Sequence, residues 1–148
     1  MILLKPYSQD MQAQLFKLTD TCFSQCGKVF EPDGRHSFYK DIVQNFVQFW
    51  CLFDTDVMIG TVGLKRISDK DCELKALYLE QKYHGRGLGR RLAQTAIDFA
   101  RENGFEQMYL DCMSTSVSAV RLYERLGFHK CEKYNKNNFA DIFMKTEL

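Results

Sequence analysis

The run Lys82-Tyr83-His84-Gly85-Arg86-Gly87-Leu88-Gly89-Arg90-Arg91 combines what anion binding needs from a polypeptide. Its glycines alternate with larger residues and lead straight into a strongly helical segment. With no Cβ in the way, a bulky anion can approach several backbone N–H groups at such a helix start. The helix dipole, equivalent to roughly half a unit charge at that end, adds attraction for phosphate. Cys72 to Leu79, just upstream, reads as a buried strand. Strand, glycine loop and helix point to a site for a phosphorylated cofactor. Lys82, Arg86, Arg90 and Arg91 cluster around it.

Spacing narrows the choice of cofactor. A dinucleotide fingerprint needs G-x-G-x-x-G, with an acidic residue about 20 residues on. Counting from Gly85 or Gly87, the third glycine is displaced by Arg90 or Leu92. A G-x-x-x-x-G-K-[ST] phosphate loop is absent. What stands instead is His84-x-x-Gly87-x-Gly89, followed downstream by Ser116-x-x-Ala119-x-x-Leu122-Tyr123-x-x-x-Gly127-Phe128. The first resembles the Q/R-x-x-G-x-G/A pyrophosphate loop of the GNAT superfamily of N-acetyltransferases. The second is similar to the N-x-x-A-x-x-L-Y-x-x-x-G-F pattern of the same family. His84 replaces Arg or Gln, and Ser116 replaces Asn. The resemblance runs over roughly residues 48 to 148; the first forty residues match only in pattern.

The resemblance implies acetyl-CoA as co-substrate, with no metal. It assigns the pyrophosphate to His84, Gly85, Arg86, Gly87, Leu88, Gly89 and Arg90. It gives pantetheine the backbone of Leu77, Tyr78 and Leu79, with Ser116 on the arm and Tyr123 near the sulfur. A free alkylamine, with a pKa near ~10, must lose a proton before it attacks a thioester. The carbonyl oxygen then gains charge and wants an N–H donor, here the amide of Leu77 or Tyr78. Tyr123 is the candidate acid for the departing thiolate, although it also shares a helix face with Val120 and Leu126. Glu73 is the candidate base, directly or through water, where many members of the family carry Glu. Flanked by Cys72 and Leu74, it should be partly desolvated, which raises a carboxylate's pKa. Otherwise it would be exposed at the strand edge, or paired with Lys75 or Arg66.

The elements that must position these residues follow from periodicity. Ile2 to Pro6 predicts a strand, and Ser8 or Asp10 caps a helix carrying Met11, Leu15, Phe16 and Leu18 at helical spacing. His36 to Phe46 predicts a second helix with Phe38, Ile42, Val43 and Phe46 inward. Val47 to Phe53 and Val57 to Ile67 predict strands, where Gly60 and Gly63 suggest a close approach or a bulge. Gly87 to Asn103 is an amphipathic helix ended by Gly104, Glu106 to Cys112 a strand, and Ser116 to Leu126 a helix ended by Gly127. Phe128 to Tyr134 and Phe139 to Thr146 predict a closing hairpin. The order β-α-α-β-β-β-α-β-α-β-β is an α/β (α+β) mixed sheet with helices on both faces, a GNAT-like acyl-CoA N-acyltransferase fold in one domain over residues 1–148.

Composition excludes other classes. A net charge of +1 implies no general attraction to nucleic acid or membrane. The start is too short and too soon broken by Pro6 for a signal peptide, and no apolar run spans a bilayer. The six cysteines form no C-x-x-C pair, which points to reduced thiols in a cytoplasmic protein. His36, His84 and His129 lack metal-ligand spacing. The expected activity is transfer of acetyl from acetyl-CoA to a primary amine, of a small molecule or a peptide, by direct attack in a ternary complex. A non-catalytic acyl-CoA-binding module is the alternative, and homodimerisation is left open. Phe30, Glu31, His36 and Tyr39 are guesses at the acceptor lining.

Overall fold

Side chains alternate along β2 (Gln48–Asp54), and the alternation divides the interior in two. Trp50 and Leu52 enter one core, while Phe49, Cys51 and Phe53 enter the other. The computed structural model describes residues 1–148. The remaining strands are β1 (Ile2–Pro6), β3 (Val57–Arg66), β4 (Asp71–Leu79), β5 (Gln107–Cys112), β6 (His129–Lys130) and β7 (Ile142–Glu147). All lie in one sheet of order β1-β2-β3-β4-β5-β7-β6. Only β4 and β5 run parallel.

Helices cover both faces, in the predicted order. α3 (Leu88–Glu102) and α4 (Val117–Arg125) pack on the first, where α3 inserts Leu92, Ala93, Ala96, Ile97 and Ala100. α1 (Gln12–Gln25) and α2 (Ile42–Asn45) pack on the second, where α1 brings Leu15, Leu18 and Cys22. None of these helices is long and apolar enough to cross a membrane.

The predicted helix over His36–Phe46 is not continuous. A 3₁₀ stretch, Ser37–Asp41, precedes the short α2, whose start is capped by the Asp41 carboxylate accepting from the Gln44 N–H at 3.2 Å. Three residues per turn put His36, Tyr39 and Ile42 inward and leave Val43 exposed. Ser8 does not cap α1; its hydroxyl donates to Asp10, and a 3₁₀ turn at Gln9–Met11 leads into the helix. The closing hairpin is shorter than predicted. β6 pairs with β7 only at His129 and Lys130. Beyond it Asn135 and Asn137 accept from the N–H groups of Asn137 and Phe139, both at 3.0 Å, so side-chain turns replace the ladder.

Two irregularities in β4 shape the centre. Gly63 faces Lys75 and Thr61 faces Tyr78, so β4 carries one residue more than β3. Ala76, at the bulge, has φ +57°. A left-handed conformation costs an L-residue about 1–2 kcal/mol. The buried Thr61 hydroxyl donates to the Ala76 carbonyl at 2.8 Å and offsets about 1 kcal/mol of that. Second, β4 and β5 pair only from Asp71–Gln107 to Glu73–Tyr109, although both strands continue. A wedge-shaped gap opens beyond that rung.

Gly63 gives β3 room beneath Phe46. A Cβ there would lie 2.6 Å from Phe46 Cε1 and 2.9 Å from Phe49 Cδ2. Overpacking of this kind destabilises by about 1–3 kcal/mol. Gly63→Ala should therefore lower the unfolding free energy by that much, read as a lower urea midpoint with an unchanged slope. A wild-type midpoint would show that the two rings yield freely.

Candidate functional site

The glycine loop is anchored at its start by two adjacent side chains. Tyr83 donates its hydroxyl to Asp54 Oδ2 at 2.6 Å, tying the loop to the β2–β3 turn. That bond holds the Asp54 carboxyl below its usual range. The His84 ring donates from Nε2 to the Leu79 carbonyl at 2.8 Å. His84 thus closes the end of β4 with its side chain. Gly85 and Gly87 take φ +81° and +76°, which favour glycine whatever the surroundings. A Cβ on Gly89 would meet Leu122 of α4 only at 3.7 Å, an ordinary contact.

The first main-chain bond of α3 is from Arg91 N–H to Gly87 O, at 3.1 Å. The N–H groups from Gly85 to Arg90, Leu88 among them, donate to no backbone carbonyl. They form a row of donors at the positive end of a helix, suited to a diphosphate. Arg90 and Arg91 line a shallow groove with Gly87, Gln94, Thr95 and Asp98. Arg86 lies over the Tyr83 ring at 5.3 Å, and Lys82 pairs with Glu80 at 3.7 Å.

The gap between β4 and β5 holds the chemistry-bearing groups. Leu77 and Leu79 turn to the first core and Tyr78 to the second. Tyr123 reaches the gap from α4, only 7% exposed, with its ring edge-on to Phe128 at 5.9 Å. Burial, then the charges of Cys112, Tyr78 and Asp111, push the Tyr123 hydroxyl pKa up, so the phenol keeps its proton. Burial and Asp111 push the Cys112 thiol up to about 11, so it is a poor nucleophile at neutral pH. Ser116 begins α4 without a side-chain cap bond; Ser114 instead donates to Asp141 at 2.6 Å.

Glu73 lies on the second face, 8% exposed. Neither Lys75 nor Arg66 pairs with it: Arg66 bonds the carbonyls of Ser68 and Asp69. Glu73 Oε2 accepts from the Tyr134 hydroxyl at 2.6 Å and from Asn135 Nδ2 at 3.2 Å. The same Asn135 nitrogen donates to Asp111 Oδ2 at 2.6 Å. Sequence reasoning missed Asp111, Tyr134 and Asn135. Asp111 left one signal, a charge in the otherwise apolar run Met108-Tyr109-Leu110-Asp111-Cys112. Tyr134 stands at the end of a predicted strand and Asn135 in the turn of the expected hairpin, where neither signals a carboxylate partner.

On the second face Phe23 packs against Phe30 at 5.6 Å and Tyr78 at 5.0 Å. His36 accepts the Glu31 N–H on Nδ1 at 3.0 Å, and burial, then Arg35, lowers its pKa. Tyr39 is too deep to line any pocket, at 1% exposure, and Glu31 is exposed. Arg35 stacks on Phe139 at 3.6 Å, joining the loop after α1 to the loop before β7.

Residues 13–128 match the family described as "Acetyltransferase (GNAT) family", a longer match at the N-terminal side than the motifs alone suggested. Human N-acetyltransferase 8B is 32% identical over 101 residues, covering 62% of this chain and 44% of that protein. The chain thus spans less than half of that relative's length. A GNAT-family acetyltransferase from Staphylococcus aureus superimposes with a TM-score of 0.91 at 18% identity, covering 99% of each chain. PaiA N-acetyltransferase from Thermoplasma acidophilum, solved in complex with coenzyme A, gives 0.79 at 17% identity, covering 100% of this chain and 99% of that one.

Backbone strain and ligand obstruction can be separated at Gly87. A Cβ on Gly87 or on Gly104, at the other end of α3, would meet nothing within 4 Å, and both have positive φ. Gly87→Val and Gly104→Val should therefore lose similar thermal stability. Only Gly87→Val should weaken CoA binding, by tenfold or more in calorimetry (about 1.4 kcal/mol or more). Equal CoA affinity in the two folded variants would remove the loop from the binding site.

Proposed function

The chain belongs to the GNAT acetyltransferase family, and from that premise we propose that it transfers the acetyl group of acetyl-CoA to a primary amine by direct attack in a ternary complex. One observation carries the reading: the β4–β5 gap opens beside the unpaired amides of Gly85–Arg90, with a protonated, buried Tyr123 at its side. In this reading Gly85, Arg86, Gly87, Leu88, Gly89 and Arg90 hold the diphosphate, assisted by the Arg90 side chain. The backbone of Leu77, Tyr78 and Leu79, turned outward by the Ala76 bulge, holds the pantetheine arm, as does Ser116. His84 contributes by fixing the end of β4 rather than by touching phosphate.

The carboxylate network of Glu73 removes one proton from the acceptor's ammonium. The freed lone pair forms the new C–N bond while an amide of Leu77 or Tyr78 bonds the carbonyl oxygen. As the C–S bond breaks, Tyr123 protonates the thiolate. The second proton of the attacking nitrogen restores the Tyr123 phenol, so each turnover leaves one proton on the carboxylates for release to water. Thiols support direct attack over an acetylated cysteine: burial pushes Cys22, Cys51 and Cys72 up to about 12 and Cys112 to about 11. Six unpaired cysteines also support a reducing, cytoplasmic setting.

Tyr123→Phe keeps the ring and its packing on Phe128 but removes the proton. The expected result is a fall in kcat on the order of 10²–10⁴-fold, with CoA affinity nearly kept. Because its pKa is raised, Tyr123 should not itself produce an alkaline loss of activity below about pH 10. A Tyr123→Phe enzyme with wild-type kcat, with chemistry limiting, would remove Tyr123 from the reaction.

A further inference from the structure

The two buried-face carboxylates are not equivalent. Glu73 sits on the last hydrogen-bonded rung between β4 and β5, opposite Tyr109. Its Oε2 takes two donors, from Tyr134 and Asn135, while its Oε1 takes none. Asp111 stands two residues farther along β5, past the point where the strands part. It takes one donor, Asn135 Nδ2 on Oδ2, leaving Oδ1 for another. Leu110 and Met108 turn to the first core, so Asp111 shares the second face with Glu73.

Asn135 is oriented unambiguously. Its Oδ1 accepts from the Asn137 N–H at 3.0 Å, so its NH₂ faces the carboxylates with one hydrogen for each. A neutral amide links the two acids without cancelling either charge. Asp111 is also the nearer to the reacting end of the gap. Tyr78, Cys112 and Tyr123 all feel its charge, whereas Glu73 acts on Lys65; Tyr134 feels both.

We propose that Asp111 receives the acceptor's proton, and that Glu73 is a positioning residue acting on Asp111 through the Asn135 amide. The proposal rests on the amine-acetylation reading above. The step is a single proton transfer: the ammonium N–H bond breaks, an O–H bond forms on Asp111 Oδ1, and the nitrogen keeps the electron pair that attacks the thioester. Asp111 then returns the proton to water. The titratable groups that face Asp111 are Glu73 across Asn135, Tyr78 from β4, Cys112 on its own strand, Tyr123 from α4 and Tyr134 after β6. Lys65 and Lys75 stand beside Glu73, and Lys28 acts on Cys112. Phe143, opposite on β7, is apolar.

The test compares the wild type with Asp111→Asn, Asp111→Glu and Glu73→Gln across pH. Thiol release from acetyl-CoA is followed with ring-substituted benzylamines of graded basicity, spermidine and a peptide bearing a free α-amine; CoA affinity is measured by calorimetry. The wild type should show an acidic limb that rises with pH independently of acceptor basicity. Asp111→Asn should abolish that limb and lower kcat on the order of 10²–10⁴-fold, with CoA affinity kept. Glu73→Gln should retain the limb, displaced along pH, with a smaller loss of kcat. If Asp111→Asn does not fold, Asp111→Glu replaces it and should shift the limb and lower kcat. A limb that survives in Asp111→Asn but vanishes in Glu73→Gln would overturn the assignment, as would an unchanged Asp111→Glu profile. A wild type that binds CoA yet acetylates no amine would instead overturn the amine-acetylation reading, and this proposal with it.

Discussion

Two parallel strands that stop sharing hydrogen bonds part-way along their length are the constraint on which the rest of the structure depends. β4 and β5 separate after Glu73 and Tyr109, yet neither strand frays. β4 stays paired to β3 as far as Leu79, and β5 stays paired to β7 as far as Cys112. The wedge is therefore held open from both sides, and its facing backbone groups are left to pair with something other than protein. The Ala76 bulge belongs to the same arrangement. A left-handed alanine is tolerated because the Thr61 hydroxyl holds its carbonyl and Gly63 lets Phe46 close over β3.

The sheet sorts the site by charge. Amides, the start of α3 and two arginines gather at one end of the gap and suit an anionic co-substrate. On the second face two carboxylates, Glu73 and Asp111, are held by donors from the loop after β6. That loop is drawn out of the hairpin to serve them, which is why β6 is only His129 and Lys130. Tyr123 approaches from the opposite, helical side, where burial keeps its phenol protonated. In the proposed mechanism acid and base stand on different faces of one opening.

Sequence patterns carried much of this. The 3.6-residue repeat of Leu88, Leu92, Ala96 and Phe99 marked α3 to within a residue of its ends, and Gly104 and Gly127 ended helices as left-handed residues should. Gly60 and Gly63 announced both the bulge and the close approach. What failed depended on competition between local and tertiary interactions. Val43 fits an α-helical face, but Asp41 caps the chain anew and the preceding turn is 3₁₀. Tyr134 fits a strand, but its hydroxyl finds Glu73 sixty-one residues away in sequence. Glu73 was legible as a buried carboxylate on an apolar strand. Its partners were not, because periodicity records burial and says nothing of which distant donor a carboxylate will meet.

Initial-rate kinetics with acetyl-CoA and amine varied together bear most directly on acetyl transfer within a single ternary complex. Direct attack predicts intersecting reciprocal plots and no acetylated protein after incubation with acetyl-CoA alone, read by intact-mass spectrometry. Parallel plots, together with an acetyl group carried on a cysteine of the chain, would contradict it.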